Sequence, residues 1–224
     1  MIVGTVTLPS GTQIDPQRPL ESQIDIHDIA EQLAHIPAYC GTLTLEISIG
    51  QSALISAGIY EQIASAPDIR IIQYLLLRNA WQYVFKSVRV PLIQTLERGC
   101  LEQLRDMQNL LQTKIFAKFD LPPQLTRLES EELHLAADAQ HVLNLIRFGK
   151  WPRETLPRTT GPALQCLDQL DLLNQPLQVL DPPLVIEKYM DYFSHAAHLQ
   201  ALKHPIGKPA NDRETRPNYV FSGN

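Results

Sequence analysis

The chain has 224 residues, 44% of them hydrophobic, which is enough to bury one substantial core. A charged fraction of 19% excludes a largely disordered chain, and a net charge of −5 excludes a general attraction to nucleic acid or to acidic membranes. Cys40, Cys100 and Cys166 are odd in number and far apart, so neither a disulfide framework nor a zinc ribbon is supported, and reduced thiols in the cytoplasm are expected. Met1 to Gly4 show no basic or apolar leader pattern, and no segment reaches the roughly 18 apolar residues of a membrane span, so no membrane partner is expected.

In chain order, residues 2–8 are rich in β-branched types and lead through Pro9-Ser10-Gly11 into residues 12–15, which predicts a small hairpin. The rest reads as helical. Asp25 caps a helix with Ile26, Ile29, Ala30 and Leu33 on one face, ended by Pro37. A second helix covers about 48–64. A third follows Pro67 and runs to about Val84; its apolar Ile71–Leu77 stretch leaves little polar face and marks it as the central, buried helix. An amphipathic helix over about 92–119 carries Leu92, Leu96, Leu101, Leu104, Leu110 and Leu111, for the core or for an interface between copies of the chain. Ser130, followed by Glu131 and Glu132, opens a helix to about Phe148. The proline-rich stretch 149–162 reads as a linker, 163–174 and 183–202 as shorter helices, and the residues from Lys203 as a tail.

Several segments, in order, carry a family resemblance. They are GTQID (11–15) with IDIHDIAEQLAHI (24–36), ISIGQSALIS (47–56), LLRNAWQYVFKSVRVPL (76–92), KFDLPPQL (118–125), LAADAQHVLNL (135–145) and DPPLVIEKYMDYF (181–193). Together they resemble the bacterial metal-dependent HD-domain phosphohydrolases, of the 5'-deoxynucleotidase-like type, over about residues 4–195. The resemblance implies a mainly α HD-type bundle of about six to eight helices with an N-terminal β-hairpin. It also implies one domain over 1–202, with core 20–148, linker 149–162, C-terminal helices 163–202 and a tail at 203–224.

The same register places the family's metal-binding His on Ser52 and its His-Asp pair on Arg78 and Asn79. A further Glu falls on Gln82 and an Asp on Ser87, and the last ligand Asp is retained as Asp138. A divalent cation needs neutral or anionic ligands. Serine is a poor ligand, the amide of Asn79 a weak one, and Arg78 brings a permanent positive charge to where the cation would sit. Gln82 cannot titrate as the Glu would. The basic substrate-recognition segment before the first His reads Ala38-Tyr39-Cys40-Gly41-Thr42 here.

The expected arrangement is an internal ion pair between Arg78 and Asp138 in place of the metal, whose loss on Arg78→Ala would cost about 3–5 kcal/mol. The other reading is that Arg78 holds a phosphate directly, with Lys86 and Arg89 adding charge at the rim. His134, Asp138 and His141 share one helical face and could rebuild a site for manganese, cobalt or nickel; Asp191, His195 and His198 show similar spacing but have no other plausible ligands nearby in sequence and read as ordinary solvent-facing polar residues. Trp81, Tyr83 and Phe85 read as core aromatics or as a stacking platform for a base. No GxSxG, GxxxxGK[ST] or GxGxxG occurs, and Cys40 has no assignable base. The expected function is that of a catalytically inactive HD-domain protein, a binding, regulatory or scaffold module for a phosphate-containing small ligand or a protein partner. The alternative is a metal-dependent phosphohydrolase acting on nucleotides or other phosphate esters through a rearranged site at Asp138.

Overall fold

The computed structural model describes residues 4–39, 42–86, 98–122 and 125–203. It is mainly helical, with one two-stranded antiparallel sheet near the N-terminus. Strands β1 (Val6–Thr7) and β2 (Gln13–Ile14) pair with Val6 opposite Ile14. The turn falls at Pro9-Ser10-Gly11, as the sequence predicts. Gly11 sits at φ 86°, a left-handed conformation that a side chain would strain. The hairpin is pinned to the body through Ser10, whose backbone N and Oγ donate to the Asp28 carboxylate at 2.9 and 2.7 Å. Asp28 is buried, so these bonds replace the water it loses.

Helix α1 (Ile26–His35) begins at Asp25, which accepts from the His27 N–H at 2.7 Å. Ser48 caps α2 (Ile49–Ile63) and Asp68 caps α3 (Ile69–Leu77) in the same manner. The remaining helices are α4 (Gln82–Phe85), α5 (Arg98–Lys118), α6 (Arg127–Arg147), α7 (Gly161–Gln169) and α8 (Pro182–Lys203). Helix α2 packs against α1, α3, α6 and α8; α1 and α3 also meet α8, and α6 supports α7.

The centre of the bundle is therefore α2 rather than α3, although α3 is also deeply buried. Every residue from Ile49 to Tyr60 is buried. Gly50, Ser52, Ala53, Ser56, Ala57 and Gly58 are small enough to let four helices close on it. At Gly50 an added Cβ would lie 2.9 Å from Val185 Cγ1 and 3.3 Å from the Ala34 backbone N, so α1 and α8 both cross α2 there.

Two helices depart from the sequence expectation for local reasons. The third helix stops at Leu77 instead of continuing to Val84. The Tyr189 hydroxyl donates to the Leu76 carbonyl at 2.6 Å and Gln112 Nε2 to the Leu77 carbonyl at 3.0 Å, so side chains from α8 and α5 take bonds that the helix would have made. The chain goes on as i→i+3 turns, with Ala80 N to Leu77 O, Gln82 N to Asn79 O and Tyr83 N to Ala80 O, before the short α4. Helix α6 begins at Arg127 rather than Ser130, because Thr126 and Glu129 form a capping box ahead of the serine.

The stretch 149–162 contains two 3-10 turns, Arg153–Thr155 and Arg158–Thr160. It is moored at its start, where Leu45 N donates to Phe148 O and Trp151 N to Leu145 O. On α5 only Leu111 and Ile115 are buried, whereas Leu110 is exposed and Leu101 and Leu104 are half-covered. Leu92, Leu96 and the tail from residue 204 lie outside the described residues. Among the described residues no helix is long and apolar enough to cross a membrane.

Gly50→Val forces a branched side chain into the crossing of α1, α2 and α8. It is expected to lower the unfolding free energy by about 1–3 kcal/mol in a denaturant titration. An unchanged midpoint would mean that the helices do not close on Gly50.

Candidate functional site

The i→i+3 turns after α3 have a consequence for the side chains they carry. Residues three apart come into line, so Asn79 and Gln82 face the same way, and Arg78 lies at the carboxyl end of α3. All three line a cavity of about 310 Å³. Ser52 and Ile49 come to it from α2. Ala137, Asp138, Gln140 and His141 come from α6, and Ala38 and Tyr39 from the segment between α1 and α2. That segment is held by a bridge between Pro37 and Ser48, with Ala38 N donating to Ile47 O and Ile49 N to Ile36 O, both at 2.8 Å.

A polar network floors the cavity. Arg78 Nη2 donates to Gln140 Oε1 at 2.7 Å and to Ser56 Oγ at 3.4 Å. Ser56 Oγ lies 3.2 Å from Gln140 Oε1 and donates to the Ser52 carbonyl. Asn144 Nδ2 donates to Ser52 Oγ at 3.2 Å and to the Tyr39 hydroxyl at 3.3 Å, and Gln140 Nε2 donates to that hydroxyl at 3.3 Å. Having accepted two N–H groups, the Tyr39 oxygen turns its own proton to His141 Nδ1, 3.1 Å away. This places the histidine's proton on Nε2. The two rings stack, 5.5 Å apart and 29° from parallel.

The expected ion pair between Arg78 and Asp138 is not formed. Among the described residues, the partners of Arg78 are the neutral Gln140 and Ser56, and Asp138, exposed on the outer turn of α6, bonds to no other side chain. Gln140, not Asp138, lies on the α6 face that meets α2 and α3, so the amide reaches the guanidinium first. Burial pushes the Arg78 guanidinium below its usual range, opposed by the negative charge at Asp138. Its Nε is buried and has no acceptor among the described residues; Asn144 Oδ1, nearby in the network, is a buried acceptor without a donor.

Sequence reasoning thus brings Ser52, Arg78, Asn79, Gln82 and Asp138 to one place, and the structure puts all five on one cavity. Ser87, Arg89 and Cys40 lie outside the described residues, and Lys86 does not line the cavity. His134 is exposed and bonded to Ser130, away from the pocket, while His141 belongs to it. Among the described residues no three His, Cys, Asp or Glu side chains converge as metal ligands. His198 lies outside the described side chains; Asp191 is exposed and His195 partly so. Tyr83 is fully buried and Trp81 and Phe85 pack on the core, so these aromatics form no open platform.

The sequence reading missed Ser56, Gln140 and Asn144 and gave Tyr39 no role. A signal existed: Ser52 with Ser56, and Gln140 with Asn144, are i,i+4 polar pairs on otherwise apolar helix faces. A divalent cation fits the cavity poorly. Among the described residues Asp138 is the single carboxylate on its lining, Ser52 Oγ is already engaged by Asn144, and the guanidinium repels a cation.

The chain matches no protein-family model and no curated protein.

Two outcomes follow. Arg78→Met should change the unfolding free energy of the free protein by no more than about 1 kcal/mol, because the Ser56 hydroxyl, 3.2 Å from Gln140 Oε1, can turn its proton from the Ser52 carbonyl to that oxygen, and a costly buried charge is removed. A loss of about 3 kcal/mol or more would show that a carboxylate depends on Arg78. The second concerns His141, whose proton affinity is lowered by burial and by Arg78, against the pull of Asp138. The unfolded chain takes up this proton first, so stability should fall as pH drops through about 6.5 toward the folded-state value. His141→Gln should flatten that part of the thermal-melting profile; an unchanged slope would place the titration elsewhere.

Proposed function

We propose that the chain is a non-catalytic relative of the HD-domain phosphohydrolases, and that its cavity binds a small anionic, phosphate-containing ligand through Arg78. The observation that carries this reading is a mostly buried guanidinium on an open cavity, held among the described residues only by neutral groups, with no described acceptor for its Nε. A structural arginine at such a depth is normally neutralised by a carboxylate. One that is not is poised to accept an anion, in a cavity large enough for a small molecule. Asn79 and the Nε2–H of His141 supply further neutral donors on the lining.

Membership of the HD-type fold is supported by the ordered sequence segments, and by the gathering of five of the positions they mark onto one cavity. The chemistry of those positions argues for binding without turnover. Among the described residues the lining holds one carboxylate, and the Nδ1 of its histidine is engaged by Tyr39, so these residues offer a metal-activated water no ligand set and little proton-transfer machinery.

Isothermal titration with inorganic phosphate and pyrophosphate tests the binding. Both should bind the wild type, and Arg78→Met should weaken them at least about tenfold. Equal binding by the variant would remove Arg78 from the site. Incubation with manganese, cobalt or nickel and p-nitrophenyl phosphate should give no turnover; hydrolysis that disappears on Asp138→Ala would restore the phosphohydrolase reading.

A further inference from the structure

The same cavity carries a second, opposite charge. Asp138 lines it, is exposed, and is not paired with Arg78 or with any other cation among the described residues. The two charges nonetheless act on each other across the space between them. A ligand seated between them meets a buried cation at the floor and a solvated anion at the mouth. A simple dianion satisfies the first and is repelled by the second. A molecule with an anionic group at one end and an ammonium at the other satisfies both. We infer that the cavity selects a small zwitterion, with a phosphate or carboxylate on Arg78 and an ammonium group on Asp138. The inference rests on the anion-binding reading of Arg78 and adds the class of ligand.

The geometry is consistent in three respects. A cavity of about 310 Å³ has room for a molecule of this kind. Asp138 and His141 are three residues apart on α6, so the carboxylate and the Nε2–H stand side by side at the mouth, one accepting and one donating. The apolar wall is short, formed by Ala38, Ile49 and Ala137, and suits a brief hydrocarbon spacer rather than a long chain.

Two probes differ only at the distal end: O-phosphoethanolamine ends in an ammonium, propyl phosphate in a methyl. By calorimetry the wild type should bind O-phosphoethanolamine about tenfold more tightly than propyl phosphate, the scale of one well-placed charge pair. Asp138→Asn should move the two in opposite directions, weakening O-phosphoethanolamine and tightening propyl phosphate and inorganic phosphate several-fold as the repulsion goes. A variant that failed to fold could not produce this crossing, and the wild-type comparison needs no variant. If inorganic phosphate and propyl phosphate bind in an Arg78-dependent way and O-phosphoethanolamine binds no more tightly, the zwitterion inference is overturned while anion binding stands. If none of the three binds, both fall together.

Discussion

A guanidinium with no carboxylate partner among the described residues is the constraint around which this site is arranged. Moving a positive charge out of water costs several kcal/mol unless something of opposite sign meets it. Arg78 meets an amide oxygen and a serine hydroxyl instead. These bonds fix where the group points without neutralising it. The rest of the network runs outward from there: Gln140 accepts from Arg78 through its oxygen and donates to Tyr39 through its nitrogen, the Ser56 hydroxyl donates to the Ser52 carbonyl, Asn144 joins Tyr39 to Ser52, and Tyr39 donates to His141. What is left over is one buried donor on Arg78 and one buried acceptor on Asn144. Polar networks in low dielectric are costly when incomplete, which makes a leftover pair beside a cavity a functional signal.

The scaffold makes this arrangement reachable. Helix α2 is lined with small residues, so α1, α3, α6 and α8 close around it and bring Ser52 and Ser56 within reach of α6. The early end of α3 matters as much. The i→i+3 turns that follow bring Asn79 and Gln82 into line, and both reach the cavity. Two bonds from distant side chains, Tyr189 and Gln112, impose that ending.

Much of this was legible in the chain. Caps at Asp25, Ser48 and Asp68 and the glycine of the hairpin turn mark element boundaries through local chemistry, which needs no knowledge of the tertiary structure. The sequence reading marked Ser52, Arg78, Asn79, Gln82, Ser87 and Asp138 as one site; Ser87 lies outside the described residues, and the other five line the cavity. What was not legible depends on contacts between distant residues. An apolar run from Ile71 to Leu77 says that a segment is buried, not where tertiary bonds will end it. Arg78 and Asp138 have opposite charges and suggest a pair, but which residue of α6 faces inward is set by the rotation of that helix, and the rotation favours Gln140. The small residues of α2 marked close packing, yet an apolar run drew attention to α3 as the centre.

The central claim is that the Arg78 guanidinium is mostly buried, has no carboxylate partner among the described residues, and can take an anion. The most direct measurement is the side-chain Nε–Hε resonance of Arg78, followed by NMR as inorganic phosphate is added. The account predicts a signal in the free protein at the position of an unbonded Hε, shifting downfield and saturating with phosphate. A signal already at a carboxylate-bonded position in the free protein, and unmoved by phosphate, would mean that Arg78 is an internal ion-pair partner and that the cavity is not an anion site.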